Sequence, residues 1–433
     1  MTFESISHFR NETNVPVRIA AKDGAQKVSG RGIRTAEIVG IGLVSVAFVG
    51  AVMEPELPLV DPLGTWKWST FLGFAAFCLL QHRLRIVLSS KHTWLFGIFV
   101  AVASFSSIRG AGDYSETAMR LISFWTLWVI AFLCPIPKDP VARVMIWTKI
   151  LIGISAVITI LSLLAYPLPI AIAGGRLKGI TSNANTLGSF AMITALAGFH
   201  LLQSYKNRRM IFAGLFLLIA GAVAIFLTNS RSSTVALLAG VLVMAIVKIR
   251  RSGMSKGTIV LLVGSVLLMG AYLYVQDLRR DSDVFVDRGW DLAAREMIFR
   301  SQINAWLDAP FVGQGLDRGQ PHFLAAGGGH VTGRPGGESS FFDLLAVAGI
   351  LGAIPLFWGF AWSGSRLLRE TKRLHSHWLS LGVALFVAVA VNSIGEGYLA
   401  AVGSILAIYV WMLCGAAAQL AAVRYLSKSR RFP

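Results

Sequence analysis

The chain has 433 residues, of which 55% are hydrophobic and only 14% charged; a soluble protein of this size carries about a quarter charged residues. Its apolar residues come in unbroken runs long enough to cross a bilayer, which takes about 20 residues per helix, so a soluble globular protein is excluded. The continuity of those runs also excludes the alternating strands of a membrane β-barrel, and the net charge of +18 is no sign of nucleic-acid binding, because most Lys and Arg lie in short connections beside the runs.

Residues 1–35 are polar and basic, without the apolar core and small-residue cleavage site of a signal peptide. They read as a disordered cytoplasmic tail. Twelve apolar runs then predict helices near 36–53, 67–81, 93–108, 117–134, 147–167, 186–204, 211–228, 233–247, 257–275, 341–363, 378–394 and 400–421. The expected fold class is an all-α polytopic membrane protein of about 12 transmembrane helices with one large outer loop. Helices one to nine occupy 36–275, the loop 276–340, the last three helices 341–421, and a second tail 422–433.

Orientation follows from the basic residues. The N-terminal tail, His82–His92, Pro135–Lys149, Lys206–Arg209, Lys248–Lys256, Arg366–Arg373 and the C-terminal tail together hold 27 of the 40 Lys and Arg. The positive-inside rule makes that set cytoplasmic, with both termini inside and the long loop outside. Cys78, Cys134 and Cys414 fall in apolar runs or at their edges, with no disulfide framework or metal-ligand spacing. No internal repeat is visible, which counts against a transporter built from related halves.

Three outer-face motifs carry chemistry. The connection Gly174-Gly175-Arg176-Leu177-Lys178-Gly179 through Asn183-Ala184-Asn185 joins the fifth and sixth helices. Its glycines allow close backbone approach to a ligand, and Arg176 and Lys178 supply charge; the alternative is a turn whose Ser or Asn caps the next helix. In Thr228-Asn229-Ser230-Arg231-Ser232-Ser233 the turn is too short to carry Arg231 far from the membrane. An arginine at that depth is costly unless it faces a cavity or an anion, or snorkels to headgroups.

The long loop, 276–340, contains seven arginines, Arg288, Arg295 and Arg300 among them, as well as His322 and His330. Arginine is scarce on the outer side, so such a cluster marks these residues, with His330, as candidate anion ligands. Residues 294–307 predict an amphipathic helix lying along the membrane face or over a cavity. Gly327-Gly328-Gly329-His330 suits a mobile lid. Glu338 precedes the tenth helix. It is a candidate general base for a sugar hydroxyl, with His322 and His330 as alternatives; equally, an acidic residue at a helix N-terminus is favourable by about 0.3–1 kcal/mol.

The order of these motifs resembles the O-antigen ligase and O-antigen polymerase superfamily of bacterial inner-membrane glycan enzymes, from about residue 90 to 420. The matching parts are Gly175-Arg176 through Asn185, Ser230-Arg231-Ser232, Ala294-Arg295 through Pro310-Phe311-Val312-Gly313-Gln314-Gly315, and Glu338-Ser339 followed by Gly349-Ile350-Leu351-Gly352. The resemblance implies a membrane glycosyltransferase with an undecaprenyl-diphosphate-linked glycan donor; since arginine forks can neutralise a leaving diphosphate, no metal and no cofactor is expected. By position, Arg176, Arg231 and Arg295 would bind the diphosphate and Glu338 would activate the acceptor hydroxyl. The residues themselves, apart from the resemblance, add Lys178, Asn185, Arg288, Arg300 and His330 as expected substrate ligands.

One departure stands out. Ligases place a histidine, then Asn, Ser or Gln, ahead of nine residues and a glycine; here the spacing from Ser339 to Gly349 is kept but the histidine position is Glu338. That favours the polymerase branch, acting on exopolysaccharide, capsule or O-antigen repeat units. The alternatives are a ligase that delivers finished glycan to a final acceptor and, from another class, a transporter of a lipid-linked sugar or anion. The resemblance also implies a chain-length co-polymerase and a flippase as partners.

Overall fold

The computed structural model describes residues 72–73, 75–76, 91–110, 114–133, 139–181, 183–252, 264, 299–318, 339–374, 376–399 and 404–429. Among them, seven helices are long and apolar enough to cross a membrane, and two shorter apolar helices, Arg120–Leu133 and His377–Asn392, accompany these. They coincide with nine of the twelve expected positions. The expected helix at 36–53, nearly all of 257–275, most of 67–81, the whole N-terminal tail and the last four residues of the C-terminal tail lie outside the described residues. The chain is an all-α multi-pass membrane protein.

In chain order the helices are α1 (Lys91–Gly110), α2 (Tyr114–Trp128, continued by a π-helical turn Val129–Leu133), α3 (Pro140–Leu164), α4 (Ala184–Ser204), α5 (Arg208–Thr228) and α6 (Arg231–Ser252). Then come α7 (residues 299–308), α8 (Ser340–Leu374), α9 (His377–Asn392) and α10 (Ile405–Ser429). A two-stranded hairpin of β1 (Ile172–Ala173) and β2 (Arg176–Leu177) stands between α3 and α4. α4 and α10 are the central helices. α5 lies outside and shows Phe212, Phe216, Ile219, Val223 and Phe226 on one exposed stripe, a spacing of three and four that puts them on one helix face for lipid. Its opposite face is small: a Cβ on Gly221 would lie 2.6 Å from the Ala191 carbonyl oxygen of α4. Such close backbone approach is how membrane helices associate when burial from water offers no drive.

α3 begins at Pro140, seven residues before the expected start at 147, because Asp139 caps it: the Asp139 side chain accepts from the Val141 N–H at 3.0 Å, and proline fits the first turn. The extension carries Arg143 inside the protein. Its guanidinium is 1% exposed and donates to the carbonyls of Ala131 at 2.5 Å and Ile130 at 3.2 Å. These carbonyls lie in the π-helical end of α2, where the last C=O groups have no helical partner; a cation there also suits the helix dipole. Arg143→Leu is expected to lower stability by about 2–3 kcal/mol through the loss of charged hydrogen bonds to buried carbonyls, read as a lower unfolding temperature in detergent.

α8 contains the main departure from a plain helix. Gly349 has φ 56° and ψ −168° and interrupts it. Beyond the break, Ile350 N–H donates to Pro310 O at 2.9 Å and Leu351 N–H to Phe311 O at 3.0 Å, while Gln314 N–H donates to Ala346 O at 2.8 Å. Residues 310–314 therefore replace the missing turn of helix, about 14 Å along α8 from its start at 1.5 Å per residue. Irregular backbone at such depth survives only where protein satisfies it. The same segment is tied to α1 and α2. Ser106 Oγ donates to Val312 O, Leu316 N–H donates to Ser107 Oγ at 2.9 Å, and Arg120 Nη1 donates to Leu316 O at 2.7 Å.

Candidate functional site

One end of the bundle collects the α3–α4 hairpin, the α5–α6 turn, α7, the start of α8 and the α9–α10 connection. The hairpin is a two-residue turn in which Gly174 and Gly175 both have positive φ, 55° and 69°, the type I′ pattern that glycine makes possible. The turn places Arg176 as the first residue of β2. Arg176 Nε donates to Thr228 O at 2.8 Å, and Nη2 donates to Asn185 Oδ1 at 2.5 Å. The capping alternative also holds, on a neighbouring residue: Asn183 Oδ1 accepts from Thr186 N–H at 2.8 Å and caps α4.

The turn that Arg176 grips is made by Asn229, left-handed at φ 52°, and Ser230. Arg231 follows as the exposed first residue of α6. Arg176 therefore bonds the residue that ends α5, and Arg231 stands three residues further along the same connection. Ser230 is buried, and a Cβ on Gly188 would lie 2.6 Å from the Ser230 Cβ, so α4 and α6 touch there through small residues. Asn392 Nδ2 at the end of α9 donates to Ser189 Oγ of α4 at 2.7 Å, beside the same contact.

The start of α8 is fixed from the α9–α10 connection. Ser340 N–H donates to Ser393 O at 3.1 Å, Ser340 Oγ donates to Glu396 O at 2.9 Å, and Leu399 N–H donates to Ser340 Oγ at 2.8 Å. Ser232 Oγ of α6 donates to Glu396 Oε1 at 3.4 Å. Ser340 is therefore a tether between connections. On the other side, Gln302 Nε2 of α7 donates to Asp343 Oδ1 in the first turn of α8. Arg300 is exposed on α7, and Lys178 is half-buried below the hairpin, its carbonyl accepting from Thr181 Oγ1 at 2.7 Å.

Of the sequence-derived candidates, Arg176, Asn185 and Arg231 come together, Lys178 lies on the same hairpin and Arg300 on α7. Arg288, Arg295, His322, His330 and Glu338, with the Gly327–His330 segment, lie outside the described residues. Sequence reading missed Asp343 and Gln302. A signal existed for Asp343, a carboxylate in an otherwise apolar run; Gln302 carried none. The N-termini of α4, α6 and α8 all open at this end. Each carries the partial positive charge of a helix N-terminus, with the Thr186 N–H of α4 and the Ser340 N–H of α8 already bonded within the protein. Together with Arg176 and Arg231 they make an end of the bundle suited to an anion with several oxygens, which arginine forks bind in pairs.

A search of curated proteins gave no match. Residues 215–357 match the family model for O-antigen ligase, a stretch that includes the α5–α6 turn with Arg231, the long loop, and α8 through its break at Gly349. Over that stretch, about a third of the chain, the protein is similar to the O-antigen ligase family of membrane glycan-processing proteins.

Proposed function

We propose that the protein is a polysaccharide polymerase that joins undecaprenyl-diphosphate-linked repeat units on the periplasmic face of the bacterial inner membrane. The observation that carries this reading is the placement of Arg176 and Arg231 at the α5–α6 connection among three helix N-termini. Both termini of the chain are then cytoplasmic, with the arginine-bearing end outside.

In the reaction, an acceptor hydroxyl oxygen attacks the anomeric carbon of the donor glycan. The bond from that carbon to the diphosphate oxygen breaks, and undecaprenyl diphosphate leaves. Arg176, Arg231 and Arg295 stabilise the charge that builds on the leaving diphosphate. Glu338 takes the hydroxyl proton from the opposite face, so the anomeric carbon inverts. Ser339, the next residue in the chain, is buried at the start of α8, a helix start held firmly enough to carry a base. Arginine stays charged at any working pH, so these residues supply by themselves the neutralisation the leaving group needs. A chain-length co-polymerase and a flippase are the partners this reaction calls for.

Glu338→Gln and Arg231→Ala, at normal protein levels, are each expected to reduce polymer yield about 100-fold or more, the scale of losing a proton acceptor or one charge-stabilising donor. Gel analysis of glycan from complemented deletion strains checks this. Unchanged chain length and yield in either variant would overturn the roles assigned.

A further inference from the structure

We infer that Gln302 and Asp343 form a fixed pin that seats α7, with Arg300, on the first turn of α8, and that Asp343 is a positioning residue for glycan transfer. This rests on the reaction proposed above.

The pin is a hydrogen bond between two side chains that are 0% and 6% exposed. Asp343 N–H donates to Ser339 O at 3.1 Å, so its carboxylate belongs to the turn that follows Glu338 and Ser339. A carboxylate in the first turn of a helix is favoured by the helix dipole, and with little water near it the amide donor binds it more strongly. Phe299 packs on Phe342 with ring centroids 6.0 Å apart, close to the pin. Gln302 Oε1, by contrast, is buried with no hydrogen-bond partner among the described residues. A leucine there would avoid that cost, so packing alone does not account for an amide at this place.

α7 has a second anchor. Residues 310–316, just beyond it, pair with the broken turn of α8 and with Ser106, Ser107 and Arg120. A segment held at both ends is a frame and not a lid. This part of the long loop therefore stays docked while substrate turns over, and it presents Arg300 from a constant position relative to the start of α8. Asp343, engaged by the amide, serves to hold α7 and is not a second base.

Two experiments on the full-length protein in liposomes decide this. The first measures turnover of purified lipid-linked repeat units by Gln302→Leu, Asp343→Leu and the exchanged pair Gln302→Glu/Asp343→Asn. Gln302→Leu is expected to lower kcat about 10- to 100-fold, the cost of a small misplacement, with KM for the lipid-linked substrate nearly unchanged. The exchanged pair, in which the amide now lies on α8, is expected to recover most of the loss. An exchanged pair as inactive as Asp343→Leu, with Gln302→Leu active, would overturn the inference and make Asp343 act on substrate directly.

The second experiment places cysteines at both positions in a variant whose Cys78, Cys134 and Cys414 are replaced, and links them with a short, reducible bifunctional thiol reagent. Before linking, this variant lacks the pin and is expected to turn over as slowly as Gln302→Leu; efficient linking that raises turnover is expected, because the link takes the place of the pin. No linking, or linking that stops turnover until the reagent is reduced, would show that α7 is elsewhere or must swing, and would overturn the pin. Linking efficiency is read on a gel without substrate. It therefore decides the placement of α7 even if the unmodified protein forms no polymer, a result that would count against the proposed reaction instead.

Discussion

Gly349→Ala is expected to leave little folded protein. Gly349 sits at φ 56°, ψ −168°, a region essentially restricted to glycine, where another residue costs on the order of 1–3 kcal/mol. Space is lacking as well: an added Cβ would lie 2.4 Å from both the carbonyl carbon and the oxygen of Phe311. Backbone cannot yield as a flexible side chain can. Relieving the clash means separating residues 310–314 from α8, which strands the Ile350 and Leu351 N–H groups and the Ala346 carbonyl inside the protein. Each unsatisfied buried group adds about 1–3 kcal/mol, so the sum rivals a typical total stability of about 5–15 kcal/mol. Size-exclusion profiles and thermal unfolding in detergent measure this directly. Gly153→Ala is the control, since a Cβ there would meet nothing within 4 Å; it is expected to express and melt like the parent protein.

Arg176→Ala is expected to fold and to lose polymer formation about 100- to 1,000-fold, the cost of removing one preorganised donor to developing charge. The hairpin that bears Arg176 is peripheral, with Gly174 and Gly175 in open space, so the fold has little to lose. The guanidinium itself is aligned at two points, by Thr228 O and by Asn185 Oδ1. Arg176→Lys is expected to restore little, because a single ammonium cannot reproduce a fork held at Nε and Nη2 together. Asn185→Ala removes one of the two alignments and is expected to cause a smaller loss. Polymer yield normalised to protein level, across the three variants, checks the order.

Much of the architecture was legible because bilayer-spanning helices write themselves as apolar runs. α4, for instance, begins within two residues of its expected start at 186. That Arg176 and Arg231 share one end of the bundle was legible from topology alone, because both lie in connections on the same side of the helices. What the sequence hid depends on contacts between distant parts of the chain. Arg143 looked like a topology charge in a loop, but Asp139 and Pro140 start α3 early and carry it inward to the end of α2. The spacing from Ser339 to Gly349 was visible, whereas its physical reason was not. Gly349 is where α8 opens to accept the backbone of residues 310–314, and backbone pairing of that kind leaves no side-chain pattern to read. Gln302 is one polar residue among several in an amphipathic stretch, and only its contact with Asp343 distinguishes it.

The most direct test of the proposed polymerase activity is the glycan of a deletion strain, with lipid-linked and surface material separated and sized by gel and mass spectrometry. Single repeat units on the undecaprenyl carrier, with long chains missing, are the predicted result. Long chains that accumulate on the carrier but never reach their final acceptor would contradict it and make the protein a ligase, with Glu338 standing where other ligases have histidine.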